Sequence, residues 1–279
     1  MTTDMTEPYS RAADAVREAD AIFIGAGAGM GVDSGLPDFR GDEGFWNAYP
    51  PFEQRNLNFY DLANPRWFED DPELAWGFYG HRLHLYRKTQ PHEGFELLLK
   101  WSEDKDLRPF IFTSNVDGQF QQAGFGSDSV VECHGSIHHM QCSRPCDRDI
   151  WDGHSLSVDV DEETFRAEPP LPDCEDCGSV ARPNVLMFGD LQWISTRTDR
   201  QHNRMQNWLD EVDDRTLAVV ECGAGTAVPT VRHRCERLAE AFDAPLIRIN
   251  PREAHGPEPQ TISIADGALD ALRRIDELL

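Results

Sequence analysis

The sequence predicts an α/β fold built on a doubly wound, mainly parallel sheet. Three observations carry that expectation. A short apolar run, Ala21-Ile22-Phe23-Ile24, passes directly into a glycine-rich turn, Gly25-Ala26-Gly27-Ala28-Gly29-Met30-Gly31. Further apolar runs of strand length follow at 109–113, 129–132, 216–221, 245–250 and 261–264. Segments of helical period separate them. Such alternation puts helices on both faces of a parallel sheet and a ligand at the carboxyl ends of its strands.

Composition bounds the rest. The chain has 279 residues, 39% of them hydrophobic and 10% aromatic, which suits one large domain or one domain with an insertion. It lacks an apolar run of about eighteen residues, and residues 1–8 are polar with no basic-then-apolar leader, so a cytoplasmic protein without a membrane span is expected. The net charge is −24, which disfavours nucleic acid as a partner because its phosphates would be repelled. The same charge attracts basic peptides, or serves as the solvating surface of a salt-adapted protein.

Taken in order, residues 10–19 read as a helix with Ser10 as N-cap. Strand 21–24 and the glycine turn follow. Residues 41–70, rich in aromatics, Pro and Asn, read as loop with room for short helices. Asp71-Pro72 starts a helix carrying Leu74, Phe78, Arg82 and Leu85 at helical spacing, and 91–103 is a second with Phe95, Leu98 and Leu99 inward. Residues 138–181 change character, with an acidic stretch at 147–173. Core-like sequence resumes at Val185-Leu186-Met187-Phe188, and helices at 229–242 and 267–279 complete the chain.

The glycine turn has a chemical reading. Glycines let a ligand approach the main chain, and exposed N–H groups there form an anion site suited to a pyrophosphate. The opening is that of a Rossmann-like dinucleotide fold, but the strict G-x-G-x-x-G spacing fails: Met30 or Val32 stands where the third Gly belongs. No acidic residue marks a second strand for the ribose, which disfavours a hydride-transfer enzyme.

Seven cysteines and no leader argue against a disulfide framework. Cys133, Cys222 and Cys235 stand apart, whereas Cys142-x3-Cys146 and Cys174-x2-Cys177 form two close pairs separated by 27 residues. Four thiolates satisfy zinc tetrahedrally and leave no open position, so a structural zinc-ribbon module is expected, with the spacer looped out. At the end of strand 109–113, Ser114-Asn115-Val116-Asp117 offers groups for an amide and a sugar. After strand 129–132, His134 is a candidate general base.

These motifs together resemble the sirtuins, the NAD-dependent protein deacylases, of bacterial or archaeal type. Gly27 to Met30, then Ser34-Gly35-Leu36-Pro37-Asp38-Phe39-Arg40-Gly41, resembles their first signature. Ser114-Asn115-Val116-Asp117 with Ala123-Gly124 resembles T-Q-N-I-D…A-G, and Glu132-Cys133-His134-Gly135-Ser136 the motif of the catalytic His. The cysteine pairs fall where the family's zinc module falls. Arg182-Pro183-Asn184-Val185-Leu186-Met187-Phe188-Gly189-Asp190 resembles R-P-x-V-x-F-G-E, and Gly223-Ala224-Gly225-Thr226-Ala227-Val228-Pro229 the turn before the next helix. The match runs in order over about residues 20–270.

The resemblance implies roles. Ala28, Gly29, Phe39 and Arg40 would surround the NAD pyrophosphate and nicotinamide ribose, with Ser114 in the cofactor pocket. Asn115 would orient the ribose, Asp117 would hold the nicotinamide carboxamide, and His134 would be the general base. Gly223, Thr226 and Asn250 would hold the adenosine half. Val185 and Phe188 would line the tunnel for an acyl-lysine peptide, which adds as a strand. Cys142, Cys146, Cys174 and Cys177 would bind zinc. Three departures stand out: Gly31 replaces the usual Ser, Ser114 the usual Gln, and the adenosine turn lacks its Ser and is one residue short. The resemblance implies a Rossmann-like domain of residues 8–41, 91–137 and 182–279, a helical insertion at 42–90 and a zinc module at 138–181. The function implied is lysine deacylation giving nicotinamide and O-acyl-ADP-ribose. NAD glycohydrolase or ADP-ribosyltransferase activity is the alternative, and a non-catalytic sensor of NAD or ADP-ribose ranks last. Residues 41–54 hold no Arg or Lys, which favours a neutral acyl group.

Overall fold

The computed structural model describes residues 6–37, 41–144 and 146–279. Helix α1 (Glu7–Glu18) leads into β1 (Ala21–Ala26) and a 3-10 turn, Ala28–Ser34. Four short helices follow, α2 (Gly41–Ala48), α3 (Pro50–Gln54), α4 (Phe59–Leu62) and α5 (Trp67–Asp70), then the long α6 (Pro72–Lys88) and α7 (Glu93–Lys100). Next come β2 (Phe110–Thr113), α8 (Gln119–Gln122), β3 (Val130–Glu132) and β4 (Gly135–Cys142). The short strands β5 (Trp151–Asp152), β6 (Val160–Asp161) and β7 (Arg166–Ala167) precede β8 (Ala181–Val185). The chain closes with α9 (Thr196–Val212), β9 (Leu217–Cys222), α10 (Thr230–Ala241), β10 (Leu246–Ile249), β11 (Thr261–Ile264) and α11 (Ala268–Asp276).

The six-stranded sheet has the order β11-β10-β9-β1-β2-β3, and its neighbours are parallel throughout. From β1 the chain builds outward through β2 and β3, then returns to the other side of β1 at β9. That reversal opens a crevice at the carboxyl ends of β1 and β9. Ile22 and Ile24 pack with Phe95, Leu98, Val220 and Leu272 on one face, while Phe23 packs with Phe110, Trp208 and Leu246 on the other. Both faces are covered, so the strands read as continuous apolar runs rather than alternating ones.

Two helix boundaries differ from expectation for local reasons. Helix α1 begins at Glu7, before Ser10, because Pro8 is accommodated in the first turn where no N–H is needed. Helix α7 is shorter than 91–103 because His92 caps it, its Nδ1 accepting the Gly94 N–H at 3.0 Å. The sequence reading assigns no element to 190–215, where α9 lies. Its buried side is Thr198, Gln201, Met205, Trp208, Leu209 and Val212, and the two polar members obscure the helical period.

A third apolar cluster joins the helical segment to the cysteine module. Phe45, Phe52, Phe68, Trp76 and Phe78 pack with Ile137, Met140, Phe165, Val185 and Met187. The cysteine spacer does not simply loop out. Its β6–β7 hairpin lies on α6, with the Arg166 guanidinium donating to both Asp71 carboxylate oxygens and to Glu73. A Cβ at Gly77 would fall 2.0 Å from the Phe165 carbonyl, so this contact requires glycine.

Candidate active site

The crevice is framed by two glycine turns that hold each other. Gly27 N–H donates to the Cys222 carbonyl at 3.0 Å, and Gly29 N–H to the Gly223 carbonyl at 3.1 Å. Ala28 is exposed and Gly29 half-buried at this rim, which leaves the Ala28 main chain open to a ligand while the Gly29 N–H is held by Gly223. Phe39 and Arg40, also expected here, lie outside the described residues. From β2, Ser114 N–H donates to the Ala26 carbonyl at 3.1 Å, and Asn115 Nδ2–H to the Gly27 carbonyl at 3.0 Å. The Asn115 side chain is thereby fixed against the turn.

Asp117 follows. Its Oδ1 accepts the Gln119 N–H at 2.9 Å, and burial pushes its carboxyl up to about 6, with Glu132 adding in the same direction and Arg82 opposing. His134 stands just past β3, half-buried, with the Ser114 backbone beside its ring. Desolvation moves its pKa below the usual imidazole value, which keeps the ring neutral and able to accept a proton near pH 7. The His134 carbonyl accepts the Leu186 N–H at 2.9 Å, which ties the 185–188 segment to the histidine.

That segment is not uniformly core. Val185 and Met187 are buried, whereas Leu186 and Phe188 are exposed. The Phe188 ring lies 4.6 Å from that of Tyr60, and its N–H donates to the Ala63 carbonyl at 2.9 Å. Arg182 and Asp190 close the turn beyond it through two bonds of 2.7 and 2.9 Å, both groups essentially without solvent. A buried bidentate pair of this kind fixes geometry more than it adds stability.

On the other side, buried Asn250 donates from Nδ2 to the Ala224 carbonyl at 2.9 Å, and its Oδ1 accepts the N–H groups of Arg252 and Glu253. Gly223 takes φ of 64° between Gly29 and the end of β9. The structure thus brings Ala28, Gly29, Ser114, Asn115, Asp117, His134, Gly223, Thr226 and Asn250 to one edge of the sheet, with the segment of Val185 and Phe188 tied to His134 beside it.

Sequence reasoning missed three supports. Glu253 accepts from both Oγ1–H and N–H of Thr226, and its position three residues after Asn250 was the available signal. His92 donates from Nε2 to the Met30 carbonyl at 2.9 Å, and its own N–H donates to Ser34 Oγ at 3.0 Å, so one residue holds the middle and the end of the 3-10 turn. Beneath the adenosine-side turn, fully buried Arg248 and Glu221 pair at 2.7 Å, and Arg232 donates to the Glu253 and His255 carbonyls. Nothing in the sequence pattern marks a charged residue inside an apolar strand as paired.

The four cysteines form a separate centre. Their sulfur atoms all lie within 4.8 Å of one another, with Cys142 and Cys177 at 3.5 Å and Cys146 and Cys174 at 3.8 Å. Zinc–sulfur bonds of about 2.3 Å in a tetrahedron require sulfurs about 3.8 Å apart, so the donor set fits a structural zinc with no open position. Cys142 ends the eight-residue β4, which begins just after His134, so the centre lies roughly 20 Å from the histidine and supports the fold rather than the chemistry.

The sequence matches the Sir2 family over residues 27–213. It is 36% identical over 168 residues to the NAD-dependent protein deacylase of Aquifex aeolicus, covering 59% of each chain. It is 33% identical over 176 residues to NAD-dependent protein deacylase 1 of Archaeoglobus fulgidus, covering 63% of each. The matched stretch thus spans about three-fifths of the length of these curated relatives. The fold is shared with a crystal structure of a Sir2 homolog–NAD complex at a TM-score of 0.69 and 24% identity, over 96% of this chain and 93% of that one. The match to the family's own pattern covers well over half of the sequence, and the chain belongs to the Sir2 family.

Proposed function

We propose that the protein is an NAD-dependent protein-lysine deacylase. One observation carries the reading most: a neutral, half-buried His134 stands beside the Ser114 backbone, next to Asn115 and Asp117, and its carbonyl accepts the N–H of Leu186 in the segment leading to Phe188. A base placed between a cofactor pocket and a peptide groove is what acyl transfer to a ribose needs. NAD supplies an electrophilic anomeric carbon and, after losing nicotinamide, a ribose hydroxyl as acyl acceptor.

The chain's own groups divide the remaining work. Ala28 presents its main chain to the pyrophosphate, and Gly29, its N–H held by the Gly223 carbonyl, shapes the turn beside it. Asn115 orients the ribose, and the Asp117 carboxylate accepts from the carboxamide N–H. His134 takes the proton of a ribose hydroxyl so that it can attack the acyl group. Gly223, Thr226 and Asn250, steadied by Glu253, hold the adenosine half. Val185 and Phe188 form an apolar lining that excludes water around the acyl-lysine, and the strongly acidic surface favours a basic peptide around that lysine. The site residues Phe39, Arg40 and Ser114 join this assignment on the resemblance alone.

The acyl group is neutral in this reading. Buried Arg82 is engaged by Tyr86 through Nε and Nη2 and lies among aromatic rings, and buried Arg182 is held by Asp190. Among the described residues no helix is long and apolar enough to cross a membrane, and seven cysteines with no disulfide among them suit a reducing, cytoplasmic setting. The test is mass spectrometry of NAD products with acetyl-lysine and succinyl-lysine peptides. Peptide-dependent O-acetyl-ADP-ribose, with acetyl preferred, is expected; NAD cleavage at one rate with or without peptide would favour the glycohydrolase.

A further inference from the structure

The residue just past Asp117 and Gly118 is a buried carboxamide that the reaction so far does not use. Gln119 is 1% exposed, and neither Oε1 nor Nε2 has a hydrogen-bond partner among the described residues. Leaving both atoms unpaired is costly, and natural proteins keep such a group where something else repays the cost. The side chain lies against the glycine turn: a Cβ on Gly31 would be 3.5 Å from Gln119 Oε1. The Gln119 main chain is already tied to Asp117, donating its N–H to Oδ1 at 2.9 Å.

We propose that Gln119 is a further binding residue for the nicotinamide end of NAD, its carboxamide pairing with the carboxamide of the cofactor. A primary amide offers one acceptor and two donors, which is the complement of another primary amide. The Asp117 carboxylate can accept only and takes the N–H side of nicotinamide, and the Gln119 Nε2–H supplies a donor for its carbonyl. The inference rests on the reading of the glycine turn as an NAD site.

The test compares NAD with ADP-ribose, which lacks nicotinamide, by calorimetry on the wild type, Gln119→Met and Gln119→Leu. Both variants fill similar space without polar atoms. The expected result is a Kd for NAD raised about tenfold with the Kd for ADP-ribose unchanged. The melting temperature of the free variants should be equal or higher, because an unpaired buried amide has been removed. If NAD and ADP-ribose weaken by the same factor, or neither changes, the amide serves an internal role such as holding a buried water, and the proposal fails while the cofactor reading stands. A wild type that binds neither ligand would overturn the cofactor reading itself and this inference with it.

Discussion

Gly29 and Gly223 meet backbone to backbone: the N–H of the first donates to the carbonyl of the second, and a Cβ on Gly223 would sit 2.4 Å from the Gly29 carbonyl carbon. The two turns come from β1 and β9, the neighbours between which the chain reverses direction across the sheet. The cofactor crevice therefore depends on a contact that no side chain permits.

Gly223→Ala tests that dependence. The residue holds φ of 64°, which costs a non-glycine residue about 1–2 kcal/mol before any clash. The added methyl must also push back the main chain of Gly29 and Met30. A loss of at least about 2 kcal/mol in urea unfolding is expected, together with weaker ADP-ribose binding. A variant of wild-type stability and affinity would show that the turns can separate freely.

Metal and fold are coupled at the cysteine module. Cys174 is fully buried in the sulfur cluster, and the strand carrying Cys142 also carries Ile137 and Met140 into the aromatic cluster with α6. Cys174→Ser should lose bound zinc, measured by plasma emission, and melt at a lower temperature or aggregate. Unchanged melting in a metal-free preparation would contradict a structural role.

How much was legible in the sequence follows from where each signal is stored. The parallel strands showed because burial on both faces leaves unbroken apolar runs, as at Ala21–Ala26. The cysteine centre showed because its ligands come in local pairs. Helix α9 was hidden because Thr198 and Gln201 face inward, Gln201 accepting from the Glu132 N–H at 3.1 Å, and polar inward residues erase the period. The site's supports were hidden for a related reason. His92, Glu253 and Arg248 act through partners 62, 27 and 27 residues away, and a pairing over that distance leaves no local pattern.

Asp117 gives a pH signature. Its carboxyl is raised to about 6, above the roughly 3.9 of an unfolded aspartate. The folded state thus binds the proton more tightly, and this contribution to stability is present below about pH 4 and lost as pH rises through about 6. Asp117→Asn should therefore gain more in melting temperature at pH 8 than at pH 4.5. Affinity for NAD runs the other way in the wild type: it should fall as pH drops through about 6, when the carboxylate gains a proton and loses acceptor strength, and Asp117→Asn should flatten that profile. Titration calorimetry from pH 5 to 8 checks both slopes, and a wild-type affinity independent of pH would remove Asp117 from the nicotinamide site.

The central claim is that His134 acts as the base of acyl transfer, and product analysis of the wild type against His134→Ala tests it most directly. With NAD and an acetyl-lysine peptide, the wild type should form O-acetyl-ADP-ribose, with little free ADP-ribose when peptide is left out. His134→Ala should still bind NAD but form the acetylated product at least about 10²-fold more slowly, the lower end of what general-base assistance supplies. A wild type that released ADP-ribose equally with and without peptide, or a His134→Ala variant that kept its rate of O-acetyl-ADP-ribose formation, would contradict the account.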